Sequence, residues 1–266
     1  MSGSNAMLTL LSLTLGFWAQ SLRLQSGLQI SLHGQGPPVL FSSGLYGLMP
    51  RRIYSRLFSE LSKNLTMVVL DSVAPVRADL LDDICSTIRS DDIGLFAHSS
   101  LDMELLRSDR VRSAVLCDPV VYPSVQFLPH PGVTSPLVAR DIPMLILKAE
   151  QTYSVTSGGT AFPDFLIPTG PSDTSERVFD KMGHADLLDD TWAELAPRVF
   201  PFMASASAPS VPFDGWTRKA LSSSDATAIR RSYRRSVAAL SSAHFQRKAS
   251  DSPVSELVPD DVLVDL

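Results

Sequence analysis

Three residues in this sequence have the types and the chain order needed for nucleophilic catalysis: Ser99, Asp118 and His184. Ser99 follows the short apolar run from Ile93 to Ala97, as a residue at the exit of a strand would. A serine hydroxyl is a poor nucleophile unless a base lies beside it, and a sharp strand-to-helix turn exposes the hydroxyl to that base. The same turn directs backbone N–H groups at a developing oxyanion, so Ser99 is the candidate nucleophile.

The turn around Ser99 keeps half of the usual pattern for such a nucleophile. Small residues are expected two positions before and two positions after the serine, where strand and helix meet. Ala97 meets the first requirement, whereas Leu101 places a large side chain at the second. Two other interpretations remain open. The segment is an ordinary buried strand with a polar exit, or Ser99 caps the next helix with Asp102 completing a capping-box-like arrangement.

Asp118 and His184 are predicted to act on Ser99 from neighbouring strand exits. Asp118 follows the apolar run 111–116 and Cys117, and His184 follows the last predicted strand, residues 177–179. Carboxyl ends of parallel strands meet at one edge of a sheet, so Asp118 is placed to orient His184 as the base. Alternatively, Asp118 before proline is a turn residue, and His184 pairs with Asp186 or Asp189.

An oxyanion hole and a substrate pocket are predicted around this edge. The backbone N–H of Ser100 is the first expected oxyanion donor, and the loop 42–47 supplies the second from Gly44 or Leu45. That loop is also compatible with a plain strand-to-helix connection. The expected pocket residues are aromatic, two from strand exits and two from the insertion 151–174, which is otherwise a self-packed surface loop: Tyr46, Tyr122, Phe162 and Phe165.

The rest of the chain alternates predicted strands and helices, which indicates a mostly parallel sheet with helices on its faces. A strand pair is expected over 22–32, because apolar residues there recur with a period of two. The later strands are predicted at 39–41, 65–70, 93–97, 111–116, 142–147 and 177–179, with helices at 51–64, 78–88 and 192–203.

Composition narrows the function classes. The chain has 266 residues, 44% of them hydrophobic, and a net charge of -5, which argues against non-specific binding of nucleic acid. No zinc-ligand spacing, P-loop or dinucleotide fingerprint occurs, so neither a metal nor a cofactor is predicted. Cys85 and Cys117 are expected to be buried and unpaired, which fits a cytoplasmic location, with a plastid or another organelle as the alternative.

Composition also suggests where the chain divides. Residues 1–20 are an N-terminal extension or a first strand, 21–204 the main α/β domain, 205–217 a linker, and 218–266 a basic helix with an acidic tail. The apolar run 7–19 is too short for a membrane span and incomplete as a signal peptide, and its acid-poor, serine-rich surroundings resemble a transit peptide.

A helix is predicted over 226–245, with apolar residues near one side and four arginines on the other: Arg230, Arg231, Arg234 and Arg235. Such a basic amphipathic helix contacts anionic lipid or another protein, or it is a solvated helix packed on its own domain.

The order Ser99, Asp118, His184 at strand exits resembles the α/β-hydrolase fold over about residues 28–203. Within that fold, Leu-Cys-Asp-Pro-Val at 116–120 and Gly-His-Ala-Asp-Leu-Leu-Asp-Asp at 183–190 are similar to segments of the chlorophyllases and platelet-activating-factor acetylhydrolases. The resemblance implies a serine esterase for a hydrophobic ester, either of the chlorophyll type or a lipid or short acyl ester. The other class is a non-catalytic binding or scaffold protein that kept the fold, because the glycine-flanked turn of that family is replaced here.

Overall fold

The structure is a computed structural model that describes residues 19–44, 49–72, 75–99, 102–119, 142–149, 174–179, 182–195 and 226–247. Its strands are β1 Ala19–Arg23, β2 Gln29–His33, β3 Pro38–Ser42, β4 Thr66–Leu70, β5 Ile93–His98, β6 Val111–Cys117, β7 Met144–Ala149 and β8 Thr174–Phe179. Its helices are α1 Ser55–Leu61, α2 Leu81–Ile88 and α3 Ala226–Gln246, with 3-10 turns at Arg51–Tyr54, Ala78–Leu80, Met103–Arg107 and His184–Leu187.

All eight strands form one sheet in the order β1-β2-β4-β3-β5-β6-β7-β8. Strand β2 runs antiparallel to both β1 and β4, and every other neighbouring pair is parallel. The fold is that of the α/β-hydrolases, as the sequence predicted. The parallel arrangement puts the carboxyl ends of β3, β5, β6 and β7 at one edge, which is where the candidate residues lie.

Helices cover both faces of the sheet because the central strands are apolar on both sides. One face packs on α1 and α3, and its core includes Phe41, Phe96 and Tyr233. The other face packs on α2 and the turn Met103–Arg107, and its core includes Leu95 and Leu116. Cys85 in α2 and Cys117 in β6 are buried and free, as expected.

Helix α3 is a layer of this core. Its Phe245 ring lies so close to β5 that a Cβ at Gly94 would be 2.8 Å from two ring carbons. The prediction that the helix packs on its own domain is therefore confirmed. The prediction that its basic side is solvated is wrong for Arg230 and Arg234, which are 0% and 1% exposed. Arg230 donates to two carboxylates, and Arg234 donates to one carboxylate and one backbone carbonyl, all within residues 186–194.

Several predicted segments fall outside the described residues: most of the N-terminal extension 1–20, the linker 205–217, the insertion 151–173 and the acidic tail. Of the helix predicted over 192–203, residues 190–195 are described and helical. The helix predicted over 51–64 begins as a 3-10 turn. Within the described ranges no helix is both long and apolar enough to cross a bilayer.

Candidate active site

Ser99 lies directly after β5 in a conformation that few non-glycine residues adopt. Its φ is +65°, and its backbone N–H donates to the Cys117 carbonyl at 3.0 Å. A left-handed backbone costs on the order of 1–3 kcal/mol for such a residue and persists only where the surrounding structure enforces it, often at active sites. The cap of the next turn is Asp102, whose carboxylate accepts from the Glu104 N–H at 3.1 Å. Ser99 therefore does not serve as the helix cap.

The segment after Ser99 differs from a usual nucleophile turn. Ser100 and Leu101 lie outside the described residues, and the expected helix is only the 3-10 turn Met103–Arg107. The aligned peptide dipoles of a full helix are largely missing there. Stabilisation of an oxyanion at this position would thus depend on individual N–H groups.

Asp118 and His184 form a buried hydrogen-bonded pair. His184 Nδ1 lies 3.0 Å from Asp118 Oδ2, and the two residues are 8% and 2% exposed. The second carboxylate oxygen, Oδ1, accepts from the Ala149 N–H at 2.8 Å, so the end of β7 fixes its orientation. Because the carboxylate accepts, Nδ1 carries the proton and Nε2 carries the lone pair of the neutral imidazole. This is the tautomer that a general base requires.

The acidic residues after His184 make other bonds. Asp186 accepts from the Gly183 N–H at 2.8 Å and from Arg230 Nε at 2.9 Å. Asp189 accepts from the Ser55 hydroxyl and from the Arg56 N–H at the start of α1. These contacts favour Asp118 over Asp186 and Asp189 as the orienting carboxylate of His184.

His98 packs against His184 and ties its loop to β5. The two imidazole rings are stacked, with centroids 4.7 Å apart and planes 26° apart. His98 Nε2 lies 3.2 Å from the His184 carbonyl oxygen, and His98 Nδ1 lies 2.8 Å from the Tyr54 hydroxyl. A carbonyl only accepts, so Nε2 donates and Nδ1 accepts from Tyr54. Burial, and then the nearby His184, lower the pKa of His98 well below its usual value. With both nitrogens bonded, His98 is a positioning residue.

Tyr54 links His98 to the loop that was predicted to supply an oxyanion donor. The Gly44 N–H donates to the Tyr54 hydroxyl at 3.0 Å, and burial raises the pKa of Tyr54 above its usual value, which keeps the phenol protonated. Gly44 is close to the nucleophile, since a Cβ added there would lie 3.6 Å from Ser99 Cβ. In this conformation its N–H points to Tyr54, so Leu45 is the remaining predicted second donor.

The loop that carries His184 is held by two buried arginines of α3. Besides its bond to Asp186, Arg230 reaches Glu194 at 3.2 Å. Arg234 donates to the Leu188 carbonyl at 2.7 Å and to Asp190 at 2.9 Å. Sequence reasoning missed these two residues, and also Tyr54 and His98. Residues 226–246 contain no Asp or Glu, so any ion pair of the four arginines there had to come from another segment, but the sequence did not indicate which of the four would be buried.

The structure thus pairs Asp118 with His184 and places Gly44 beside Ser99. The other predicted site residues lie outside the described ranges: Ser100, Leu45, Tyr46, Tyr122, Phe162 and Phe165. The contacts of the described residues do not include a hydrogen bond from the Ser99 hydroxyl to His184. Within those residues, no group of three His, Cys, Asp or Glu side chains is arranged to hold a metal ion.

No protein-family model matches the chain, and no curated protein does. It is similar to naproxen esterase (carboxylesterase NP) from Bacillus subtilis, at 14% identity and a TM-score of 0.46, with 71% of this chain and 92% of that one covered. It is similar to a bacterial membrane phospholipase A at 15% identity and a TM-score of 0.46, with 71% of this chain and 86% of that one covered. The chain is also similar to an epoxide hydrolase from metagenomes of hot environments, at 12% identity and a TM-score of 0.43, with 71% of this chain and 98% of that one covered. The fold assignment rests on the strand order of this chain's own sheet.

Proposed function

We propose that this protein is a serine hydrolase that cleaves a hydrophobic carboxylic ester through an acyl-enzyme. The observation that supports the proposal is the His184–Asp118 pair, with Nδ1 and Oδ2 3.0 Å apart, at the same sheet edge as a strained serine. An ordinary turn serine does not need a left-handed backbone, nor an ordinary loop histidine a buried carboxylate.

In the proposed reaction, Ser99 Oγ attacks the ester carbonyl while His184 Nε2 takes the hydroxyl proton. Asp118 holds the imidazole in the productive tautomer and stabilises its charged form. The C–O bond to the leaving group then breaks, and His184 returns its proton to the departing alcohol oxygen. In the second half, His184 takes a proton from water, the hydroxide attacks the acyl-serine, and Ser99 recovers its proton as the carboxylic acid leaves.

The proposed oxyanion donors are the N–H of Ser100 and that of Leu45, or that of Gly44 if its bond to Tyr54 opens. Losing one such donor typically costs about 2.7–4 kcal/mol of transition-state stabilisation. The first esters to test follow from the chlorophyllase-like segments: phytyl esters of the chlorophyll type, then lipid and short acyl esters. A cytoplasmic location, with a plastid as the alternative, belongs to the same proposal.

A second candidate function is a binding or scaffold protein that kept the hydrolase fold. The specific observation that favours it is the 3-10 turn in place of a helix after Ser99, together with Leu101 at a position where a small residue is usual. An inactive serine would leave the Asp118–His184 pair as a structural contact.

A fluorophosphonate probe separates the two functions, because it reacts with activated serines. The folded full-length protein would be treated with the probe and analysed by intact mass and peptide mapping. We expect one adduct on Ser99 that is lost in His184→Ala and kept in His130→Ala, a control histidine to which the proposed reaction assigns no role. Absence of any adduct, with an unchanged circular dichroism spectrum, would exclude the hydrolase and leave the scaffold.

A further inference from the structure

A cavity of about 370 Å³ opens at the carboxyl ends of β3 and β4, next to the Ser99 turn. We call it the side cavity; its walls include Phe41, Ser43, Met49, Val69 and Val76. Its volume falls in the range of about 300–1,000 Å³ that is usual for small-molecule sites. It lies on the side of the sheet edge occupied by the loop that begins at Ser43.

The wall of the side cavity comes close to the candidate nucleophile. A Cβ added at Gly44 would be 3.4 Å from Met49 Cγ and 3.6 Å from Ser99 Cβ. The Tyr54 hydroxyl lies 3.2 Å from the same point, so Tyr54, Met49 and Ser99 surround one position beside Gly44. Met49 is fixed in this position, since its N–H donates to the Gly44 carbonyl and its own carbonyl accepts from the Ser43 hydroxyl. The cavity wall at Met49 is therefore separated from Ser99 by about the width of one side chain.

The cavity also carries positive charge. Among the described residues, two arginines, Arg51 and Arg52, line it together with one carboxylate, Asp71. Asp71 is already engaged by the Ser31 hydroxyl and lies 4.0 Å from Arg51, whose guanidinium donates to His33 Nε2 at 2.6 Å. Arg52 is exposed and has no carboxylate within ion-pair distance among the described residues. Its guanidinium is available to an anion.

Most of the other described lining residues are apolar, and Ser43 and Ser72 are the polar ones. Phe41, Val69 and Val76 are 2%, 4% and 2% exposed, so their packed side chains give a fixed surface for a hydrocarbon chain. Apolar side chains beside a guanidinium that has no ion-pair partner among the described residues suit a ligand with an alkyl chain and an anionic group. The alkyl chain would contact the apolar side chains, and the anion would pair with Arg52.

We propose that the side cavity binds a carboxylate or phosphate group carried on an apolar chain, as one arm of the ester substrate. This inference rests on the proposed hydrolase function and narrows it to esters with an anionic group. Arg52 is the specificity-determining residue, and the chain of the ligand runs past Met49 toward Ser99.

Binding is measured on the wild-type full-length protein by isothermal titration calorimetry with decanoate, decyl phosphate and decanol. We expect saturable binding of at least one anion and much weaker binding of the neutral alcohol. The anion that binds more tightly shows whether the ligand carries a carboxylate or a phosphate group. Arg52→Gln should weaken anion binding by about tenfold, the lower end for a charge-assisted hydrogen bond, and leave decanol unchanged. Arg231→Gln, an exposed arginine of α3, is the matched control and should change nothing.

A cavity-filling variant tests the apolar part. Ser72→Trp, at an exposed lining residue, should abolish binding of the anions without lowering the thermal unfolding temperature. Equal effects of Arg52→Gln and Arg231→Gln, or no saturable binding of either anion, would overturn the inference.

Labelling of Ser99 distinguishes this inference from the proposed function. If decanoate or decyl phosphate binds in the cavity, it should slow the reaction of Ser99 with the fluorophosphonate. A reactive Ser99 with no anion binding would remove only the cavity proposal. Anion binding with an unreactive Ser99 would keep the cavity as an anion site and remove the hydrolase.

Discussion

His184 is held from three directions, whereas Ser99 is held through the backbone of its own strand and its neighbour. The His184 loop is bonded to Asp118 on one side, to α3 through Arg230 and Arg234 on another, and to His98 through its carbonyl. Ser99 is fixed by one backbone bond to Cys117 and is followed by a short 3-10 turn. The proposed base is therefore held by bonds from several elements, whereas the proposed nucleophile is held by backbone contacts and is followed by an unusual turn. A left-handed backbone occurs in both halves of the candidate site, at Ser99 with φ +65° and at Asp118 with φ +47°.

The largest expected effect comes from the base half. Asp118→Asn keeps the size of the side chain, but its amide can donate to His184 and thereby favour the wrong tautomer. We expect the rate of Ser99 labelling, and of any ester hydrolysis, to fall about ten-thousandfold, the loss known for this change in a serine protease triad. The measurement is the second-order labelling rate by intact mass. Asp82→Asn, an exposed aspartate of α2, is the control, and a loss below about tenfold in Asp118→Asn would assign the orienting role elsewhere.

A smaller effect is expected from the bonds between α3 and the His184 loop. Arg230→Met removes a fully buried guanidinium and leaves Asp186 buried without it, so the free energy of unfolding should fall by about 3–5 kcal/mol. Urea unfolding followed by circular dichroism measures this. Arg231→Met, one residue along the same helix and exposed, should change stability by no more than about 0.5 kcal/mol. Equal losses in both variants would show that Arg230 does not stabilise the loop.

The smallest expected effect is the contribution of His98 to the pH dependence of the free energy of unfolding. Its pKa is lowered in the folded protein, so below the usual value of 6.5 the unfolded chain binds a proton that the folded chain does not. The contribution of His98 to stability is therefore complete above pH 6.5 and is lost as pH falls from there toward the folded pKa. The slope attributable to one such group is at most about 1.4 kcal/mol per pH unit.

Comparing wild type with His98→Asn isolates this slope. Urea unfolding between about pH 7 and about pH 5 should show a shallower loss of stability in the variant. His33, whose pKa is also lowered by burial and by Arg51, contributes equally to both proteins and cancels. Identical slopes would mean that the buried stack with His184 does not depend on a neutral His98.

The strands were predictable because each central strand is a short, continuous apolar run between turn residues. Strand β6, predicted at 111–116, is found at Val111–Cys117, and α3, predicted at 226–245, at Ala226–Gln246. The order of Ser99, Asp118 and His184 at strand exits was also readable, because parallel strands put their carboxyl ends at one edge.

The supporting contacts were not predictable, because they depend on pairs far apart in sequence. Arginine on an amphipathic helix is usually solvated, and only the packing of α3 shows that Arg230 and Arg234 turn inward. Similarly, nothing in the run Arg51–Tyr54 indicates that Tyr54 will join Gly44 to His98. The helix expected after Ser99 was a short one with Met103, Leu105 and Leu106 as its apolar residues, and the chain forms the 3-10 turn Met103–Arg107 there instead.

The bonds between α3 and the His184 loop have a consequence for the order of assembly during synthesis. Domains fold as the chain emerges, with earlier residues available first. Strands β1 to β8 and His184 itself are all made before residue 190, but Arg230 and Arg234 leave the ribosome about forty residues later. A nascent chain that has completed its sheet therefore lacks the α3 bonds to the His184 loop and keeps only those from Asp118 and His98. Under the proposed function, we expect ribosome-stalled chains to show full reactivity of Ser99 only after α3 has emerged.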